Sequence, residues 1–198
     1  MPIAILGGTF DPPHIGHLLL AECVRHQFSP DSVVLLPAGQ PYRKAWRDVT
    51  PAHHRLAMTN LATAEDAWLT VDEREVRREG PTYTVDTLEE LRTEGVERPF
   101  LIVGIDAVAD MPNWKEAGRI GELSRIVVAL KGQDPAELAR LAEAAGLPRA
   151  PEVVDMPDIA VSGTLIRKRI GEGKPVRHLL PDAVLRYIHR HGLYGAPP

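Results

Sequence analysis

The chain contains 198 residues, of which 44% are hydrophobic and 25% are charged, which is enough for one domain with a substantial core and short for two. A formal net charge of −4 argues against nonspecific binding to nucleic acid or to a membrane surface, and a single cysteine, Cys23, excludes an internal disulfide framework and a cysteine-based structural zinc site. Because we find neither an apolar run long enough for a membrane span nor a signal peptide, we expect a soluble cytoplasmic domain that binds no nucleic acid and no membrane.

Short apolar runs alternate with amphipathic segments along almost the whole chain. Five strands are predicted at 2–6, 32–36, 100–103, 125–130 and 152–154, with a weaker sixth at 68–71. Segments whose apolar side chains have helical spacing lie between and after these strands, for example 15–23, 138–145 and 184–191. The pattern predicts an α/β fold, a Rossmann-like doubly wound and mainly parallel sheet of five to six strands with helices on both faces. Ligands of such sheets bind beyond the carboxyl ends of the strands.

The first loop, residues 7–17, follows a strand directly. Its two glycines permit a sharp turn and close approach of a ligand to the backbone, and Asp11 with two prolines stands where we expect a helix to begin. The N–H groups of a helix start suit a phosphate, and His14 and His17 are expected on one face of the first turn. A plain turn at the glycines is the alternative, whereas a metal site at the histidines lacks a third ligand nearby. The loop is neither a Walker A motif nor a Gly-x-Gly-x-x-Gly motif.

This loop, GGTFDPPHIGH, resembles the signature of the nucleotidyltransferase superfamily, whose shared core is a T/HxGH motif after the first strand. The full form is most similar to that of the bacterial nicotinate-nucleotide adenylyltransferases. The resemblance implies that one set of residues in the loop binds ATP: Gly7, Gly8, Thr9, Phe10, His14 and His17.

The next loop, at residues 41–44, departs from the family's PPHK pattern. Lys44 keeps the place of a cation that reaches phosphate, but Tyr42 stands where proline is usual and Arg43 where histidine is usual, so the role of this altered loop is left open. The segment 51–58 follows the family again, with Arg55 in register. We interpret His53 and His54 as exposed residues at a helix start and not as ligands.

Residues 80–88 open another predicted helix and resemble the family's SYTVDTL segment, whose helix start meets the nicotinate carboxylate. Backbone amides at a helix N-terminus favour a carboxylate over a neutral carboxamide. Thr84 is therefore predicted to bind nicotinate mononucleotide, and the segment favours the acid over the amide as substrate.

The strand at 100–103 runs into a Gly-x-Asp turn. Asp106 is suited either to accept hydrogen bonds from ribose hydroxyls or to cap a helix, and the family resemblance assigns Gly104 and Asp106 to ATP. Trp114 is either a core residue or a stacking partner for an aromatic ligand. The resemblance places it against the pyridine ring, with Lys115 beside it in the mononucleotide site.

Near the other end, residues 161–167 precede a basic helix. Ser162 or Thr164 is suited to cap that helix, and Arg167 can bind phosphate in bidentate fashion, although a plain capped helix with a solvated basic face is the alternative. The segment resembles the family's ISSTxIR motif, with Val161 in place of isoleucine and Gly163 in place of the second serine. By resemblance, Ser162, Thr164 and Arg167 hold the ATP phosphates opposite the two histidines.

The resemblance covers nearly the whole chain, including the tail through Tyr194, and implies one nucleotidyltransferase domain over 1–198 with a C-terminal helical part at about 162–195 packed on it. It implies adenylyl transfer from ATP to nicotinate mononucleotide in NAD biosynthesis, with Mg²⁺ held mainly by ATP phosphates and without a dedicated metal site on the protein. The predicted catalytic residues are His14, His17, Lys44 and Arg167.

Alternatives are transfer to nicotinamide mononucleotide or to phosphopantetheine, and an ATP-binding sensor without catalysis. Enzymes of the phosphopantetheine type are shorter and lack the SYTVDTL and tryptophan segments, and a sensor has no need to align two phosphates. The oligomeric state, a homo-oligomer included, is left open by the sequence.

Overall fold

The structure is a computed structural model that describes residues 2–40, 49–130, 132 and 134–197. Its centre is one sheet of six strands, all paired in parallel in the order β3-β2-β1-β4-β5-β6. The strands are β1 (Ile3–Gly8), β2 (Ser32–Pro37), β3 (Leu69–Val71), β4 (Phe100–Gly104), β5 (Arg125–Ala129) and β6 (Glu152–Val154). The predicted doubly wound α/β sheet is confirmed, including its sixth strand.

Helices connect the strands, as a parallel sheet requires. Within the described residues they are α1 (Ile15–Phe28), α2 (Ala52–Thr63), α3 (Arg74–Arg77), α4 (Thr84–Thr93), α5 (Ile105–Asp110), α6 (Ala117–Leu123), α7 (Pro135–Ala144), α8 (Gly163–Gly171) and α9 (Asp182–Arg190). Short 3₁₀ turns follow at Met111–Asn113 and Leu193–Gly195. None of the described helices has the length and apolar character needed to cross a bilayer.

Side chains alternate between the two faces of the sheet, which is why both faces are apolar. Ile5 of β1 packs on the face covered by α4 to α7, and its neighbours Ala4 and Leu6 pack on the opposite face, against α1. A third apolar cluster joins Met58 of α2 to Ile166 of α8 and to residues of α9. The C-terminal helices therefore share a core with α2 and lie beside α1.

The chain reverses its direction of travel across the sheet between β1 and β4. From β1 it goes outward to β2 and β3, whereas β4 leads the other way to β5 and β6. The loops after β1 and β4 consequently diverge and leave a crevice at the carboxyl ends of these two strands, where ligands of such sheets bind.

Candidate active site

A cavity of about 510 Å³ occupies this crevice and collects most of the site residues predicted from the sequence. Those that line it are Gly7, Gly8, Thr9, His14, His17, Thr84, Gly104, Asp106, Trp114, Lys115 and Ser162. Phe10, Thr164 and Arg167 do not line the cavity, although Phe10 packs against His17 and Arg167 bonds to Thr164 and Asp11. Lys44 falls outside the described residues, as do Tyr42 and Arg43. Segments far apart in the sequence thus contribute to one concave surface.

The turn after β1 and the start of α1 both lie later in the sequence than expected. Gly7 and Gly8 belong to β1 and pair with β2, so the turn follows them, at Phe10 with its φ of 48°. A Cβ on Gly8 would lie 3.1 Å from the buried Phe10 ring, which explains the glycine by packing. The expectation that the helix begins at Asp11 and the prolines is wrong. The helix starts at Ile15, because the side chain of Asp11 bonds elsewhere and does not cap it.

The two histidines form one unit at the start of α1. Their rings stack with centroids 3.7 Å apart, and the main-chain N–H of His14 donates to Nδ1 of His17 over 3.2 Å. Since Nδ1 of His17 accepts, the proton of the neutral ring lies on Nε2. The edge of the Phe10 ring packs against His17 at 4.9 Å and restrains it further. The cavity therefore receives an imidazole whose tautomer and orientation are set by the backbone.

The segment around α8 reaches the first loop directly. Ser162 caps α8 by accepting from the N–H of Leu165 at 3.1 Å, so of the two predicted caps it is Ser162 that serves and not Thr164. Nη1 of Arg167 donates to the carbonyl of Asp11 over 2.6 Å. A Cβ on Gly163 would lie 2.7 Å from that same carbonyl, so the glycine that departs from the family motif permits this close approach.

Arg55 is a buried brace for the loops, a role that its sequence position alone did not reveal. Its side chain is 1% exposed and donates to three carbonyls, those of Thr50 at 2.8 Å, Thr9 at 2.9 Å and Gly39 at 2.8 Å. Burial lowers the pKa of the guanidinium, and the nearby Asp11 carboxylate opposes that effect. The three bonds satisfy the charge and join the loops after β1 and β2.

The far wall of the cavity is built by the start of α4. Tyr83 and Thr84 line it, as does Glu75, a buried carboxylate that accepts from the Thr87 hydroxyl over 2.8 Å. Burial raises the pKa of Glu75. Sequence reasoning missed Glu75, because it lies in a charge-rich stretch where one buried acid looks like its exposed neighbours.

Asp106, Trp114 and Lys115 lie at the edge of the cavity after β4. Gly104 is the N-cap of α5 and Asp106 lies in its first turn, so the interpretation of Asp106 as the cap is wrong, since the helix starts two residues earlier than that requires. Trp114 is half-buried, packs against the core and donates to Asp110 at 3.3 Å, so it combines a core contact with a place in the cavity wall. Lys115 pairs with Asp86 of α4 at 2.7 Å, which raises the pKa of its ammonium group.

The histidines at the start of α2 differ in part from the expectation. His53 is exposed as predicted, but His54 is half-buried and its Nδ1 lies 2.9 Å from the Tyr187 hydroxyl of α9. The expectation of exposure is wrong for His54, because α9 packs over that end of α2. Among the described residues no group of three metal-ligating side chains lies close enough together to hold an ion.

The comparisons with known proteins agree on one family. Residues 5–169 match the model of the cytidylyltransferase-like family. The chain is 44% identical over 196 residues to a probable nicotinate-nucleotide adenylyltransferase of Roseiflexus sp. (strain RS-1), covering 98% of both chains. It is 40% identical to a protein described in the same words from Dehalococcoides mccartyi (strain BAV1), covering 96% of this chain and 95% of that one.

Solved structures share the fold at low sequence identity. The Plasmodium falciparum nicotinic acid mononucleotide adenylyltransferase complexed with NaAD superposes with a TM-score of 0.80 at 15% identity, covering 99% of this chain and 98% of that one. A putative nicotinate-nucleotide adenylyltransferase from Vibrio parahaemolyticus gives a TM-score of 0.65 at 19% identity. These likenesses show that the six-stranded architecture is a known one.

Proposed function

The chain belongs to the cytidylyltransferase-like family, and from that premise we propose that it transfers the adenylyl group of ATP to nicotinate mononucleotide, giving deamido-NAD and pyrophosphate in NAD biosynthesis. One observation carries the proposal. A single cavity joins the histidine-bearing loop to the start of α4, so two phosphate-bearing ligands can meet in it. Full-length relatives at 40 to 44% identity that are named for this activity support the choice of substrates.

The reaction needs alignment more than it needs a strong base. An oxygen of the mononucleotide's 5′-phosphate attacks the α-phosphorus of ATP, a new P–O bond forms, the bond to the β-phosphate oxygen breaks, and pyrophosphate leaves with that electron pair. Because the attacking group is already an anion, the protein's task is to bring two mutually repelling anions together and to stabilise the charge that builds on the transferring and leaving phosphates.

The proposed phosphate contacts come from two helix starts that face the same space. His17 offers an Nε2–H donor on an imidazole fixed by the backbone, and His14 stacks on it. Ser162 caps α8 at the cavity wall, with Thr164 in the first turn of that helix. Arg167 uses one N–H on the carbonyl of Asp11 and a second on the Thr164 hydroxyl, and its remaining N–H groups are proposed to bind a phosphate oxygen. Lys44 belongs to the same proposal from its sequence position alone.

The remaining predicted contacts divide between the two ligands. Gly104 and Asp106 are proposed to hold the adenosine of ATP beside the backbone of residues 7–10. Thr84, Trp114 and Lys115 are proposed to hold the mononucleotide, with the pyridine ring against Trp114 and the carboxylate at the amides that open α4. The side chain of Lys115 adds a positive charge to that wall, although Asp86 offsets it.

Magnesium is proposed to arrive with ATP and not to reside in a protein cage. The donor set supports this, because no three metal-ligating side chains of the described residues converge, whereas a triphosphate supplies the oxygens that Mg²⁺ prefers. When bound, the ion neutralises charge on the triphosphate. The small-molecule partners are thus ATP and nicotinate mononucleotide, and we place the reaction in the cytoplasm, where the chain's single cysteine would stay reduced.

The test is pyrophosphate release from ATP and Mg²⁺ with nicotinate mononucleotide, nicotinamide mononucleotide or phosphopantetheine at matched concentrations. We expect release with the acid and at least tenfold less with the amide, since the helix start favours a carboxylate. Equal rates with acid and amide would keep adenylyl transfer and refute the role of α4. Release with phosphopantetheine alone, or with none of the three, would refute the proposed function.

A further inference from the structure

The C-terminal 3₁₀ turn reaches back to the loop that carries the histidines. Tyr194 lies in this turn, and its hydroxyl donates to Oδ1 of Asp11 over 2.6 Å. Asp11 is 7% exposed and stands three residues before His14. A bond between residues 183 positions apart thus anchors the predicted phosphate loop from outside the cavity.

Asp11 connects this anchor to Arg167. Its carbonyl accepts from Nη1 of Arg167 at 2.6 Å, and its Oδ2 lies 3.8 Å from the same nitrogen. The N–H of Thr50 approaches Oδ2 at 3.4 Å. One buried residue therefore links the first loop, the residue pair before α2, the segment 161–167 and the C-terminal turn.

Tyr194 is suited to remain a donor. Burial and the Asp11 carboxylate both raise the pKa of its hydroxyl well above the usual range, which favours the protonated, donating form. Neither Tyr194 nor Asp11 lines the cavity, so any effect of this bond on the reaction acts through the residues that Asp11 holds.

We propose that Tyr194 is a positioning residue for adenylyl transfer, in that its bond to Asp11 holds Arg167 and the histidine-bearing loop in register for the ATP phosphates. The proposal rests on the proposed function for its catalytic readout. It concerns the phosphate side of the cavity, whereas the proposed mononucleotide contacts come from α4 and the segment after β4, which this bond does not touch.

The test compares Tyr194→Phe with Tyr187→Phe. Both changes remove one hydroxyl that makes a hydrogen bond near the C-terminus, but the Tyr187 hydroxyl pairs with His54, outside the cavity. For Tyr194→Phe we expect kcat to fall about 10- to 100-fold, the scale on which small misplacements of reacting groups act. The dissociation constant of Mg-ATP, measured by calorimetry, should rise severalfold, and KM for nicotinate mononucleotide should stay within about twofold. Tyr187→Phe should leave all three values unchanged.

A double-mutant cycle separates positioning from mere stability. Because Tyr194 is proposed to act on Arg167, the loss caused by Arg167→Lys should be smaller in the Tyr194→Phe background than in the unchanged protein. Additive losses would overturn the proposal. So would a Tyr194→Phe enzyme whose kcat and ATP affinity match those of Tyr187→Phe, whatever its Tm.

Two further measurements address a Tyr194→Phe variant that does not fold and a wild-type protein that shows no adenylyl transfer. If Tyr194→Phe does not fold, Asp11→Asn weakens the same contact from the other side, and an unchanged ATP affinity in that variant would overturn the proposal. If the unchanged protein transfers no adenylyl group to any acceptor, the proposed function fails. ATP affinity alone then decides whether Tyr194 positions the phosphate site.

Discussion

At the scale of single residues, His17 combines a structural bond with a proposed chemical one. Its Nδ1 accepts from the His14 main chain, which directs the protonated Nε2 away from that bond. A hydrogen-bond donor that faces developing charge stabilises the transition state far more than it stabilises the fold, because the folded protein already holds the donor in place. The two roles of the ring can therefore be separated by substitution.

We expect His17→Ala to lower kcat by about 10²-fold or more, the scale of a lost transition-state donor. The same change removes the acceptor for the His14 N–H and should cost about 1 kcal/mol of unfolding free energy. His17→Gln retains an acceptor at the third helical position, so it should keep that stability and still lose most of the activity.

The matched control is His26→Ala, on the exposed face of the same helix, which should leave both kcat and Tm unchanged. Pyrophosphate release and thermal unfolding are the measurements. A folded His17→Ala protein with normal kcat would show that His17 is not catalytic.

Residue chemistry alone also misses contacts of some consequence. Arg55 sits in a segment that follows the family pattern, yet its bonds to three carbonyls depend on loops that close around it. The contacts of Glu75 and Tyr194 could not be inferred from their sequence neighbours, since a lone acid or tyrosine is common at surfaces and the resemblance of the tail to the family assigns no partner to Tyr194. Their roles arise from partners that lie distant in the sequence.

At the scale of elements, α2 and α9 meet through aromatic rings. The ring of His54 lies 5.1 Å from that of His191, and Tyr187 packs against His191 at 4.2 Å. Burial lowers the pKa of His54, and His53 and His191 lower it further as like charges. The folded state therefore favours neutral His54, so its contribution to stability is present above the pKa of the unfolded chain, about 6.5, and is lost as the pH falls.

We expect the unfolding free energy to decrease between pH 7 and pH 5 more steeply in the unchanged protein than in His54→Gln. At pH 8 the substitution should cost about 1 kcal/mol, because the ring bond to Tyr187 is lost. Chemical denaturation across this pH range measures both effects. His178→Gln, at an exposed position, is the control and should keep the original slope, and an unchanged slope in His54→Gln would contradict the assignment.

Element existence and element ends were not equally predictable. All six strands were predicted, because two-sided apolar runs are hard to place anywhere but in a covered parallel sheet. The predicted end of β1 was wrong by two residues and the predicted start of α1 by four. Gly7 and Gly8 extend β1 by pairing with β2, and the prolines precede α1. Both ends depend on residues that are close in space and distant in the sequence.

At the scale of the whole molecule, the C-terminal helices are tied to the rest from several sides. The N–H of Ile15 donates to the carbonyl of Leu179 at 3.1 Å, and Arg167 and Tyr194 both bond to Asp11. The third apolar cluster runs without interruption from α2 into α8 and α9. These ties support the proposal that 1–198 is one domain.

We expect thermal unfolding in a single cooperative transition, with calorimetric and van't Hoff enthalpies that agree. Far-UV circular dichroism and tryptophan fluorescence should give the same midpoint, since Trp68 and Trp114 report from opposite sides of the sheet. Two resolved transitions, or a calorimetric enthalpy well above the van't Hoff value, would show that the C-terminal part unfolds separately.

The class of fold and the grouping of glycines and histidines in the first loop follow from the sequence. Strand periodicity and a motif of consecutive residues are local properties, and the strand-to-helix loop keeps its glycines and histidines close together by covalent connection. The contacts of Asp11 with Arg167 and Tyr194, and the burial of Glu75, are evident only in the folded chain, because they depend on segments distant in the sequence returning to one point in space. No short stretch of sequence specifies how close residues 11 and 194 lie. That distance is fixed by close packing of the core and by the need of buried polar groups for hydrogen-bond partners.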